Sequence, residues 1–175
     1  MLRRLAAVVA VLPGLALATT LIERPLAERV RVADRVVLAQ VLESRTVVLE
    51  MVPARTAGGR ETPRMITVTK VAVGADYKGG GTDQLEVVQL GGRYGLWEAH
   101  VPGDATFEPG ETAVLLLQCR DPKAPNRCAL VTLAEGKLQV VGESVFERNL
   151  SRGESTRRPL REVIEVVREA AKVTP

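Results

Sequence analysis

The sequence predicts a mainly β fold, a small OB-like barrel of five to six strands with an N-terminal helix and a C-terminal amphipathic helix. Short β-branched segments recur between glycine- and proline-containing turns. Two further segments, at 21–35 and 159–172, place apolar residues at helical spacing. An immunoglobulin-like sandwich is the second choice, because the strands are few for that fold.

The first 18 residues predict a secretory signal peptide. Basic residues precede an uncharged apolar segment that ends in Ala16-Leu17-Ala18, with small residues at the two positions that a signal peptidase reads. A retained membrane helix is the alternative, but Pro13-Gly14 interrupts the segment. Thr19 follows the predicted cleavage point, where a lipoprotein would carry cysteine. We therefore expect an exported protein, periplasmic or secreted, without a stable membrane anchor after cleavage.

Removal of residues 1–18 also changes the charge. The full chain has 24 Lys and Arg against 21 Asp and Glu, and two of the arginines lie in the leader, which leaves 22 against 21. A nearly neutral chain gives no reason to expect nucleic acid or an anionic membrane as a partner. Residues 19–175 fit a single domain that can bury a hydrophobic core.

The N-terminal part of this domain changes from helical to β periodicity. In the second half of residues 21–35, Pro25 suits a first helical turn, and Leu26 and Val30 fall on one face. Residues 36–52 are rich in β-branched side chains, and this long segment then predicts either one strand that bends or two strand halves.

The remaining strands are shorter and follow a polar loop at 53–64. They are expected at residues 65–74, 84–90, 111–119 and 128–142. The last is expected to break at Glu135-Gly136, and the glycine-rich residues 91–110 predict irregular structure.

Two cysteines, Cys119 and Cys128, end two apolar segments that eight turn-forming residues separate. In an oxidising compartment this arrangement predicts a β-hairpin closed by a disulfide, with two free thiols as the alternative. A zinc site would need more ligands than His100, the single histidine, can supply. We expect neither a metal nor a cofactor.

The chain ends in a predicted amphipathic helix at 159–172. Pro159 can open it, and Leu160, Val163 and Val167 share one face. The helix either packs on its own domain or docks on a partner.

Short turn and core motifs recur through the mature chain. They are Tyr77-Lys78-Gly79, Gly91-Gly92, Val101-Pro102-Gly103, Phe107, Gly110-Glu111 and Gly136-Lys137-Leu138. In this order they resemble a group of uncharacterised exported bacterial proteins with a signal peptide and an OB-like β-barrel. The barrel also resembles, more distantly, the netrin-like (TIMP-like) domains of metalloprotease inhibitors, but the zinc-binding N-terminal cysteine of those inhibitors is missing. The resemblance implies export and a barrel, and carries no activity.

Catalytic equipment is sparse in this sequence. A serine hydrolase is not expected, because there is no G-x-S-x-G motif and only one histidine. The remaining enzyme hypothesis is a small carboxylate-dependent hydrolase with a site near Glu98, His100 and Asp104. Aromatic residues make up 3% of the chain, which speaks against a sugar-cleaving cleft.

The same segment contains a candidate recognition loop with Tyr94, Trp97 and His100. The alternative is that Trp97 and Phe107 plug the end of the barrel. We therefore predict a non-enzymatic binding or accessory domain that acts on another exported protein.

Overall fold

The computed structural model describes residues 24–53, 59–150 and 152–173. The predicted leader at 1–18 and its junction with Thr19 lie outside these ranges. The described chain is mainly β, with one helix before the sheet and one after it. The elements are α1 (Leu26–Val32), β1 (Arg35–Val52), β2 (Thr62–Lys78), β3 (Gln84–Leu90), β4 (Gly92–Tyr94), β5 (Trp97–Ala99), β6 (Thr112–Gln118), β7 (Arg127–Leu130), β8 (Lys137–Val141), β9 (Ser144–Asn149), β10 (Glu154–Pro159) and α2 (Leu160–Lys172).

Five strands form the barrel. Antiparallel pairs join β1 to β2, β2 to β3 and β7 to β6, while β3 and β7 run parallel. A further antiparallel pairing of β1 with β6 partly closes the sheet on itself. The prediction of a small OB-like barrel with a helix at each end is confirmed.

Three strands extend the sheet beyond the barrel, in the order β8, β9, β10. A 3-10 turn at Leu133–Gly136 separates β7 from β8, so the break predicted at Glu135-Gly136 is confirmed. No strand was predicted at β9 or β10, because β10 has no apolar residue except Pro159 and β9 has only the adjacent Val145 and Phe146, so neither shows an alternating pattern.

The long first strand bends. β1 stays paired with β2 along its length, but its register shifts at several points, one of them between Val41 and Glu43. Such a bulge changes which side chains face inward beyond it. Of the two alternatives, one bent strand is the observed one.

Strand β6 is buried on both faces, and this divides the core in two. Val114 and Leu116 belong to a core beneath the helices, together with Val30, Val163 and Val167. The alternate residues of β6 face the barrel interior instead. That second core contains Val37, Ala39, Val41, Val71, Leu85, Val87, Ala113, Leu115, Leu117 and Cys128. The uninterrupted apolar sequence of β6 follows from burial on both sides.

Both helices cover the first core. α2 packs on its own domain through the face that the sequence predicted, since Val163 and Val167 are fully buried. The carboxyl end of α1 is capped by Lys78, whose Nζ donates to the carbonyls of Val30 (3.0 Å) and Arg31 (2.9 Å). Neither described helix has the length and apolar content that crossing a membrane requires.

The two cysteines lie at the ends of neighbouring strands. The sulfur atoms of Cys119 and Cys128 are 2.02 Å apart, as in a disulfide, and this agrees with the predicted hairpin. Cys128 is buried beside β3, opposite Val87 at the parallel β3–β7 seam. Only two residue pairs form that seam, so the bridge lies where the barrel is held by few hydrogen bonds.

Replacing both cysteines with alanine is expected to lower the free energy of unfolding by about 2–3 kcal/mol, because the bridge restricts the unfolded chain. Urea denaturation of the variant and the wild type measures the difference. Wild-type protein treated with reductant provides the control and is expected to match the variant. Equal stability of the reduced and oxidised wild type would contradict a bridge at this position.

Candidate functional site

The segment predicted as irregular contains a small hairpin. β4 and β5 pair antiparallel, with Tyr94 opposite Trp97 and a two-residue turn at Gly95-Leu96. Gly95 has φ 58°, a conformation that two-residue hairpin turns require and glycine adopts readily. The expectation of irregular structure was therefore wrong for these residues, since the turn signal lay within a run of other glycines.

The tip of this hairpin projects into solvent. Leu96 is 100% exposed, Tyr94 54% and Trp97 37%. Trp97 therefore does not plug the barrel, whereas Phe107 is half-buried and packs against the second core. The structure separates the two members of the predicted plug. We call Tyr94, Leu96 and Trp97 the hairpin tip.

Glycines allow the base of the hairpin to lie directly on the barrel. A Cβ atom at Gly92 would come within 2.6 Å of the Thr46 hydroxyl on the barrel, and one at Gly91 would collide with the Ala99 carbonyl at the end of β5. Two hydrogen bonds fix the same contact. Thr67 Oγ1 donates to the Gly91 carbonyl (3.1 Å), and the Arg93 backbone N–H donates to Thr46 Oγ1 (3.1 Å). The Gly91-Gly92 motif thus has a packing role.

Beneath the hairpin lies a groove of about 300 Å³ at one end of the barrel. Its wall carries hydroxyl and amide side chains on one face of three neighbouring strands: Ser44, Thr46, Thr67, Thr69 and Gln89. We call these five residues the hydroxyl wall. This wall was not predicted, although the two-residue period of a strand places Thr67, Thr69 and Val71 on the same face of β2.

The three residues of the enzyme hypothesis also line this groove. Glu98 and His100 are exposed, and Asp104 is half-buried and accepts the Ala105 N–H (2.9 Å). They do not bury a carboxylate pair against apolar surface, which is the usual way to prepare a general acid. Within the described ranges, no group of three or more His, Cys, Asp and Glu side chains is placed to hold a metal ion.

An ion pair holds the segment that follows Asp104. Lys137 Nζ lies 2.5 Å from Glu111 Oε1, and both side chains are largely buried. The same ammonium contacts the Thr106 carbonyl and lies 4.9 Å from the centre of the Phe107 ring. Two motifs from distant parts of the sequence, Gly110-Glu111 and Gly136-Lys137, therefore meet in one structural contact.

Contacts around the Tyr77-Lys78-Gly79 motif also support the fold. Arg35 is buried and donates to Asp76 (2.8 Å), and a Cβ atom at Gly79 would approach the Asp34 carbonyl to 2.5 Å. With Lys78 capping α1, this region joins the first helix to the barrel. The quoted motifs thus explain architecture and leave the groove and the hairpin tip as the candidate site.

The chain matches no protein-family model, and a comparison with curated proteins finds no similar sequence. The resemblance to exported OB-like proteins stays a prediction.

One ionisable group outside the groove has an altered pKa. Burial raises the pKa of the Tyr77 phenol, and the charge of Arg168, whose guanidinium lies 5.8 Å from the ring centre, acts in the opposite direction. A raised pKa keeps the phenol neutral at physiological pH. Tyr77 belongs to the contact between α2 and the barrel and serves packing.

Proposed function

We propose that this protein is an exported, non-enzymatic binding domain that docks on another envelope or secreted protein through the hairpin tip. The observation that carries the proposal is the exposure of three large apolar or aromatic side chains at one hairpin turn. Contiguous exposed apolar side chains on a soluble domain commonly mark interaction surfaces.

The composition of the tip fits a protein partner. Tryptophan and tyrosine are enriched among the residues that dominate binding energy, because they bury a large area with few rotatable bonds. The base of the hairpin is held rigidly by Gly92 and by the hydrogen bonds to Thr46 and Thr67. A rigid support lowers the entropy lost on binding.

Two features support an exported setting. The predicted leader is the first, and the Cys119–Cys128 pair is the second, because disulfides persist mainly in oxidising compartments. A partner in the same compartment is therefore proposed.

The test uses affinity capture from the exported fraction of the source cells, followed by titration of the captured protein against purified variants. Trp97→Ala is expected to weaken binding about 30-fold or more, as at an interface hot spot. Leu96→Ser is expected to weaken it as well. Val141→Ser is the matched control, since Val141 is 57% exposed on β8, away from the tip.

Equal capture of the same protein by wild type, Trp97→Ala and Leu96→Ser would refute docking through the tip. Loss with Val141→Ser as well would point to a general effect on folding instead of a local contact.

A second candidate function is a small carboxylate-dependent hydrolase. The observation that favours it is the convergence of Glu98, His100 and Asp104 on one groove. Turnover of a small ester or glycoside that disappears in both Glu98→Gln and Asp104→Asn would support it over the binding proposal.

A further inference from the structure

We propose that the groove at the barrel end binds a neutral polyhydroxylated ligand, one or two sugar units in size, through the hydroxyl wall and the lining residues Glu98, His100 and Asp104. This goes beyond the proposed function, because the hairpin tip and the groove are separate surfaces. The direction of the wall residues, their spare hydrogen-bonding capacity and the charges of the groove lining support the proposal.

A bulge in β1 turns the hydroxyl groups of Ser44 and Thr46 toward the groove. Val41 faces the barrel interior, and Leu42 has no pairing partner on β2. After this shift, Ser44 and Thr46 face inward opposite Thr69 and Thr67. Without it, charged residues would point inward. Bulges beside sites commonly redirect a side chain in this way.

The charged β1 residues that the bulge turns outward are paired on the outer face. Glu43 lies 3.7 Å from Lys70, and Arg45 lies 4.0 Å from Glu86. The inner surface therefore changes from aliphatic residues in the barrel to hydroxyls at its end, while the ions stay outside. Valine has almost the same shape as threonine, so packing alone does not require a hydroxyl at the fully buried Thr69.

The hydroxyl wall keeps spare hydrogen-bonding capacity. Ser44 Oγ and Thr69 Oγ1 lie 2.7 Å apart, so the buried Thr69 hydroxyl can donate to Ser44 and leave the proton of the exposed Ser44 hydroxyl for a ligand or water. Gln89 Nε2 donates to the Ala105 carbonyl (2.7 Å), which leaves its amide oxygen as an acceptor. The wall therefore offers a ligand both a donor and an acceptor.

The groove lining carries more negative than positive side chains. Glu98 and Asp104 supply carboxylate acceptors, and Arg93 is the one cationic residue in the lining. Because the carboxylates outnumber the cation, the groove disfavours anionic ligands. Ligands with many hydroxyl donors can bond the carboxylates, the amide oxygen and the wall together. Phe107 adds the one carbocyclic ring among the lining residues, and it can cover the C–H face of a sugar.

The size of the groove agrees with this ligand class. About 300 Å³ is at the lower limit of small-molecule sites, which range over roughly 300–1,000 Å³. One or two sugar units fit such a volume, whereas a long oligomer would have to extend out of the open side.

The test measures binding of the purified protein by saturation-transfer NMR and calorimetry. The probes are glucose, N-acetylglucosamine and their β-1,4-linked disaccharides, with glucuronate as the anionic probe and putrescine as the cationic probe. At least one neutral saccharide is expected to bind, and glucuronate more weakly. The double variant Ser44→Ala/Thr69→Val, which preserves volume, is expected to weaken that binding about tenfold or more.

Thr156→Val on β10 is the matched control and is expected to bind like the wild type, because Thr156 does not line the groove. Asp104→Asn is a second variant that keeps the shape of the site, and it is expected to weaken binding as well. Circular dichroism confirms that each variant is folded.

Binding of no neutral saccharide in the panel, preferential binding of putrescine or glucuronate, or unchanged affinity in both groove variants would overturn the proposal. Trp97→Ala is expected to leave saccharide binding unchanged, since Trp97 does not line the groove. The outcome is therefore independent of the partner-binding test.

Discussion

Replacing Glu147 with leucine is expected to lower the free energy of unfolding by about 3–5 kcal/mol, because it removes a carboxylate that pairs with the buried charge of Arg29. Arg29 on α1 is 3% exposed and pairs with Glu147 on β9. Its guanidinium also donates to the Glu135 carbonyl and to the Arg24 carbonyl (3.0 Å). These carbonyl contacts orient the guanidinium but do not neutralise its charge.

A double replacement separates charge burial from loss of packing. Arg29→Met/Glu147→Leu is expected to recover most of the lost stability, because an apolar pair of similar volume carries no desolvation cost. Urea denaturation of the two variants and the wild type measures this. Glu169→Gln is the surface control, since Glu169 pairs with Lys172 in solvent, and its effect is expected to stay below about 1 kcal/mol. A loss below about 1 kcal/mol for Glu147→Leu would show that Arg29 is hydrated in the native protein.

Truncating Leu116 to alanine is expected to destabilise the protein by about 2–5 kcal/mol, because it removes a fully buried side chain and leaves a cavity. Leu116 faces the core beneath the helices, whereas its neighbour Leu115 faces the barrel interior. Leu115→Ala is expected to cost a similar amount. The two variants differ in which part of the fold they loosen.

Hydrogen exchange distinguishes these two faces. Leu116→Ala is expected to reduce amide protection in α2 (Leu160–Lys172) more than Leu115→Ala does, since α2 covers only the first core. Val141→Ala on the exposed side of β8 serves as the control and is expected to change stability by less than about 0.5 kcal/mol. Equal loss of α2 protection in both leucine variants would contradict the division into two cores.

Elements with strong periodicity were predictable. The helix at 160–172 agrees with the expected 159–172, because Val163 and Val167 repeat at helical spacing and are buried as one face. The cysteine hairpin was predictable from two apolar segments around a turn. β9 and β10 were not, because neither shows an alternating apolar pattern and both gain their strand conformation from pairing with neighbours.

The candidate site was predictable only in part. Glu98, His100 and Asp104 are close in sequence, and they do line one groove. The hydroxyl wall comes from three strands, and the inward direction of its β1 members Ser44 and Thr46 depends on the bulge at Leu42, which local periodicity does not specify. The position of Trp97 was not predictable either, because the sequence of its segment was compatible with a plug at the barrel end and with an exposed loop.

By itself, the sequence determined the mainly β class, the two terminal helices, the positions of the barrel strands along the chain and the proximity of the cysteines, because these depend on local periodicity and short loops. Only the tertiary structure decided which strand face is enclosed, and that Glu111 meets Lys137 while Glu147 meets Arg29. Those contacts arise when distant segments come together as the barrel closes and the helices pack on it. The side chains alone do not specify such pairings, because many charged residues in the chain could form them equally well.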